Sequence, residues 1–133
     1  MKISKIIKLI PCFIIPLIIF LINFFILVPL NIYISYPWLD IPMHFLGGSV
    51  IAISSICVLK RCRDEIIIKD EFVKIIIIIA LVSLVATCWE FWEFFEYNTI
   101  DVKDTLFDLF MGLLGGLSVS ILNLLLYRGK KSL

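Results

Sequence analysis

Four stretches of this 133-residue chain are apolar for longer than a core strand or core helix requires. They fall at about residues 6–30, 43–59, 75–97 and 104–127. The apolar side chains do not form a stripe along one helical face; blocks such as Ile75–Ile79 are apolar on every side. Hydrocarbon offers no hydrogen bonds to an open backbone, so such runs must close their own as helices. At 62% hydrophobic residues, the chain is too apolar for a soluble domain of its size. The expected fold is all-α: a four-helix transmembrane bundle, with residues 1–133 forming a single membrane domain. In the last run, Leu109 to Tyr127 is free of charge. At 1.5 Å per residue it spans about 28 Å, enough to cross the hydrocarbon.

The first run follows Lys2, Lys5 and Lys8, as a signal peptide would. It is too long for a signal core, and no small-residue cleavage site follows, so an anchor helix is expected. Pro11 and Pro16 are expected to bend it. Basic residues cluster at one set of helix ends: Lys60, Arg61, Arg63, Lys69, Lys74, Arg128, Lys130 and Lys131 join the N-terminal lysines. Only Lys103 falls at the other. The positive-inside rule then places both termini and the 60–74 linker in the cytoplasm of a multi-pass plasma-membrane protein. Trp38, Trp89, Trp92 and Tyr97 gather at the outer ends, as an aromatic belt does.

Outside the linker, every acidic residue lies toward that outer side: Asp40, Glu90, Glu93, Glu96, Asp101, Asp104 and Asp108. The one histidine, His44, lies among them. Ionisable groups at membrane depth are costly and therefore functional candidates. Asp40 precedes Pro42, which suggests an N-cap at Asp40, and His44 follows one turn later. Glu90 and Glu93 share a helix face. Glu90 lies 15 residues beyond Ile75, about 23 Å along the helix and inside the hydrocarbon. Glu96 is expected at the water surface. Asp101, Asp104 and Asp108 fall on one face that continues into Gly112 and Gly115 or Gly116. Gly112 and Gly116 are spaced for close helix packing, with Gly48 and Ala52 as a matching small surface on the second span. That packing would bring Asp40 and His44 to Asp104 and Asp108.

Carboxylates so gathered repel unless protons, basic partners or a cation intervene. Basic partners are few, namely Lys103 and His44. Protons shared among the carboxyls are one remedy; a divalent cation held by Asp40, His44, Glu90, Glu93, Asp104 and Asp108 is another, with Mg²⁺, Mn²⁺ and Zn²⁺ all compatible. His44 and Glu90 are the candidate catalytic bases.

Three ordered motifs carry a family resemblance: Asp40-x-x-x-His44-Phe45-x-Gly47, Glu90-x-x-Glu93, and Asp104-x-x-x-Asp108 followed by glycines. Over residues 38–120 the chain resembles the YjdF and VanZ-like families of small membrane proteins. The resemblance implies a four- or five-span protein; some VanZ-like members are associated with teicoplanin resistance. Glu93 stands where VanZ-like members carry Gln, and Gly112 where Asn is common. The YjdF-type pattern fits Glu93 better.

The expected function is an extracytoplasmic carboxylate–histidine site acting on a cell-envelope lipid or phosphate-bearing precursor. The alternative is a non-catalytic membrane protein that binds an envelope ligand or partner. Proton or cation transport fits less well, because the acids stop at one side of the bilayer. A net charge of +1 gives no electrostatic case for nucleic acid. No zincin helix, phosphate loop, dinucleotide fingerprint or nucleophile elbow is present. Cys12, Cys57, Cys62 and Cys88 form no CxxC pair. They are expected to be small hydrophobes in lipid, with neither a structural disulfide nor a zinc–thiolate site.

Overall fold

A computed structural model describes residues 3–64, 66–97 and 101–131 of the protein. Lys2 lies outside the described residues, as do the side chains of Lys5, Tyr97, Arg128, Lys130 and Lys131. Among the described residues the fold is all-helical, without a strand. Helix α1 covers Ile3–Ile22 and runs on through a wider π-type turn, Asn23–Leu27. The short α2 is Ile32–Ser35, and a 3-10 turn, Pro37–Leu39, leads into α3, Asp40–Arg61. Helix α4 is Glu71–Tyr97, and α5 is Val102–Lys131.

Four segments are long and apolar enough to cross a membrane: Ile7–Leu27, Pro37–Arg61, Glu71–Glu96 and Val102–Leu126. Large apolar side chains cover their outer faces; Phe13, Leu84, Phe110 and Leu125 are all exposed. Such a surface is stable only in lipid. The interior is built from small residues. Ala52, Ile78 and Val82 form its buried apolar centre, and Ser54, Ser55 and Ser120 bond back to carbonyls of their own helices. Those bonds satisfy hydroxyls that would otherwise be stranded in hydrocarbon.

Local chemistry sets the helix ends. Asp70 Oδ1 accepts from the amides of Phe72 at 2.7 Å and Val73 at 3.4 Å, capping α4. Asp101 caps α5 in the same way, accepting from Lys103 and Asp104. Asn31 breaks the chain after the first span by taking a left-handed conformation, φ 52°, which an asparagine tolerates better than most residues. Helix α1 remains helical across Pro11 and Pro16.

Two expectations are corrected here. Asp40 is not an N-cap: it is the first residue of α3 with helical backbone angles, the cap position is Leu39, and no side chain caps that end. The Asp40 carboxylate turns to His44 instead. The second correction concerns cysteine. Cys12 and Cys57 form a disulfide between α1 and α3, with their Cα atoms 5.5 Å apart. Its position in the apolar spans, with Cys12 buried, keeps aqueous thiols away from it. The expectation of free thiols failed because the pair is 45 residues apart and no local spacing signals it. The same region is tied again where an Arg61 guanidinium N–H donates to the Lys8 carbonyl. Alkylation of the folded protein without reductant is expected to label Cys62 and the exposed Cys88 only, with Cys12 and Cys57 recovered as one cross-linked peptide pair. Equal labelling of all four thiols in unreduced protein would contradict the bridge.

Candidate carboxylate and histidine site

Helices α3 and α5 approach closely because glycines remove the side chains between them. A Cβ on Gly48 would overlap the Gly112 carbonyl, and one on Gly115 would overlap the Phe45 carbonyl. Gly116 serves a different neighbour, since a Cβ there would crowd Val82 of α4. This tight seam sets the start of α3 beside the start of α5, and the end of α4 completes the same corner of the bundle.

His44 is the hub of that corner. Its Nε2 lies 3.4 Å from Asp40 Oδ1 and 3.8 Å from Asp108 Oδ2. Its Nδ1 lies 3.8 Å from Glu90 Oε1. Three helices therefore supply groups to one imidazole. The side chains of His44, Glu90 and Asp108 are 9%, 10% and 4% exposed, while Asp40 is 33% exposed. Glu93 joins from the next turn of α4. Ligand-capable atoms of His44, Glu90 and Glu93 lie within 4.8 Å of one another, as do those of Asp40, His44 and Asp108. Asp104 belongs to neither group; it is exposed and stands at the rim. Asp101 serves as the α5 cap, and Glu96 is exposed at the end of α4.

Charge is poorly balanced within the corner. Four carboxylates face one imidazole, and among the described residues the ion pairs of the cluster all run through His44. Two carboxylates about 5 Å apart repel by roughly 3 kcal/mol at an effective dielectric constant near 20. Glu90 Oε1 is fully buried and has no hydrogen-bond partner among the described residues. Its 3.8 Å separation from His44 Nδ1 is too long for a hydrogen bond. A buried carboxylate oxygen without a donor is a large local cost.

Two cavities flank the cluster. The larger, about 540 Å³, runs between α1, α3 and α4, with Asp104 and Gly112 of α5 also in its wall, and is lined at one end by Asp40, His44, Glu93 and Asp104. The smaller, about 440 Å³, lies between α4 and α5 and is lined by Glu90, Glu93, Asp101, Asp104, Thr105 and Asp108, among others. Glu93 and Asp104 line both. Asn23 and Tyr33 also line the larger cavity. Asn23 is buried, and its Oδ1 accepts from the Tyr33 hydroxyl. Neither had been singled out from sequence, although an asparagine within an otherwise apolar run is a signal of this kind. Trp89 and Trp92 do more than mark an interface: their rings pack on Phe20 of α1 and on Phe24 of the π-type turn that continues it.

A family model described as "Predicted membrane protein (DUF2238)" matches residues 2–129. No curated protein and no solved structure matches the chain. The family match supports the coarser part of the resemblance, a family of membrane proteins.

Proposed function

The chain belongs to the DUF2238 family of membrane proteins, and on that premise we propose that its carboxylate–histidine cluster holds a divalent cation. The observation that carries this reading is the buried Glu90 Oε1, which has no donor among the described residues and faces His44 Nδ1. A cation between them supplies what both atoms lack. Their 3.8 Å separation suits two ligand atoms of one ion. Glu93 is the third ligand. Asp40 and Asp108 then face the other ring nitrogen, where an N–H directed at carboxylate fixes the tautomer and orients the ring. This division uses all five residues and explains why carboxylates lie on both sides of the imidazole.

Held by His44, Glu90 and Glu93, such a cation would supply Lewis acidity toward a phosphoryl oxygen or a bound water. Asp104, at the rim shared by both cavities, is placed to accept a proton. The basic helix ends at the opposite side support an extracytoplasmic reading of this corner. The substrate class is accordingly a phosphate-bearing lipid or precursor of the cell envelope. The scarcity of Lys and Arg near the cluster gives the cation a necessary part in recruiting an anion.

Protein purified without chelator is expected to carry about one divalent ion per chain by elemental analysis, and to rebind Mn²⁺ after stripping. Glu90→Gln keeps the size of the side chain but weakens Mn²⁺ binding by about tenfold or more. Wild-type protein that holds no metal and rebinds none would remove the basis of this reading.

A further inference from the structure

We infer that the larger cavity seats the hydrocarbon chain of a lipid whose phosphate-bearing head reaches the His44 cluster; the identity of the head rests on the cation reading above, whereas the seat for the chain does not. The argument starts from how α1 is attached. The Cys12–Cys57 bridge and the Arg61–Lys8 contact tie its first half to the end of α3. Farther along, α1 and the π-type turn that continues it reach α4 through the rings of Phe20 and Phe24 on Trp89 and Trp92. Between α1 and its neighbours lies the cavity, open on one side and lined from Pro16, past these aromatic contacts, to the 31–34 segment that follows the first span.

The cavity is amphiphilic along its length. Asp40, His44, Glu93 and Asp104 lie at one end, Asn23, Asn31 and Tyr33 add polar groups from the end of the first span onward, and Ile19, Phe20, Ile51, Val82, Val85 and Ala86 are among the apolar lining. These six apolar residues belong to membrane-crossing segments, where the surrounding solvent is lipid, while Val28 and Ile34, which also line the cavity, lie in the connection after the first span. Its volume of about 540 Å³ lies within the range of pockets that hold whole small ligands. Water is a poor occupant of an apolar channel at that depth. The Tyr33 hydroxyl satisfies the Asn23 Oδ1 in the lining. A chain with a polar head matches both ends of the space. An anionic head next to bare carboxylates would be repelled, and a bound cation reverses that sign.

Gly47 provides the test. It lines the cavity beside His44, and a Cβ placed there meets nothing within 4 Å. A larger side chain therefore enters the cavity without disturbing the α3–α5 seam. The probe is hexadecyl phosphate with a diazirine in its chain, photolysed with purified protein in lipid nanodiscs. Wild-type protein is expected to be labelled at cavity residues such as Phe20, Ile51 and Val85 as well as at outward-facing Leu84. Gly47→Leu should lower cavity labelling by about tenfold while leaving Leu84 labelling and bound metal unchanged. Chelation should lower cavity labelling by the phosphate probe by a similar factor of about ten, and leave labelling by the matching hexadecanol probe in place. Cavity labelling no stronger than at Leu84, and insensitive to Gly47→Leu, overturns the lipid seat. Cavity labelling that ignores chelation overturns the phosphate head alone. Metal content, measured on the same samples, reports separately on the cation.

Discussion

Gly48→Leu is expected to separate α3 from α5 and to abolish folded protein. The Cβ of any larger residue at Gly48 falls on the Gly112 carbonyl, which is helix backbone and cannot rotate away. Relief requires moving one helix against the other, and the seam also carries Gly115 against the Phe45 carbonyl. Overpacking that flexible side chains can absorb costs about 1–3 kcal/mol. A backbone clash exceeds that range, and most domains have only about 5–15 kcal/mol to lose. The readout is the fraction of protein eluting as a folded, monodisperse species in mild detergent, with its melting temperature. Gly47→Leu, one residue away but facing open space, should elute and melt like wild type. If Gly48→Leu melted like wild type too, the seam described for α3 and α5 would be wrong.

His44→Ala should have the largest effect on the cluster. The imidazole is shared by both groups of ligand-capable side chains, so its loss dismantles each. Divalent-ion affinity is expected to fall by about 100-fold or more, beyond the 10- to 100-fold typical for an orienting partner. Asp40→Asn removes only a carboxylate facing Nε2 and should cost about tenfold. Glu96→Gln, on an exposed side chain at the end of α4, should leave binding unchanged. Isothermal titration of Mn²⁺ into the folded variants checks this order. Equal affinities for His44→Ala and Glu96→Gln would show that the ion, if bound at all, sits elsewhere.

Much of this architecture was legible because the bilayer imposes strict rules on a chain. Runs such as Ile75–Ile79 admit few readings, and all four membrane-crossing helices appear in the fold. The small-residue spacing of Gly112 and Gly116 pointed to helix packing. The two glycines do not share one partner, however: Gly112 lies between His44 of α3 and Ala86 of α4, and Gly116 meets Val82 of α4. A one-dimensional spacing gives a face but not its neighbour. The acidic cluster was legible for a similar reason, since charge at membrane depth stands out against an apolar background. Which carboxylate faces which ring nitrogen depends on helix rotation, and no residue pattern fixes that. Asp101 illustrates the ambiguity. It shares the face of Asp104 and Asp108 in sequence, yet its oxygen is engaged by backbone amides.

Features that depend on α1 were the least legible. The Cys12–Cys57 bridge joins residues with no spacing signature. The first run is so uniformly apolar that it gives little indication of which side faces the bundle. The cavity follows from how α1 is tied at one end and propped on aromatic rings at the other. That is a property of tertiary placement, and even Asn23 offered only a hint of it.

The cation assignment can be tested at the ligand itself by electron spin-echo modulation of Mn²⁺ bound to the purified protein. With His44 as the chain's one histidine, a single imidazole nitrogen coupling is the predicted signature, and His44→Ala should erase it. A spectrum with only water and carboxylate around the manganese, unchanged by His44→Ala, would contradict it.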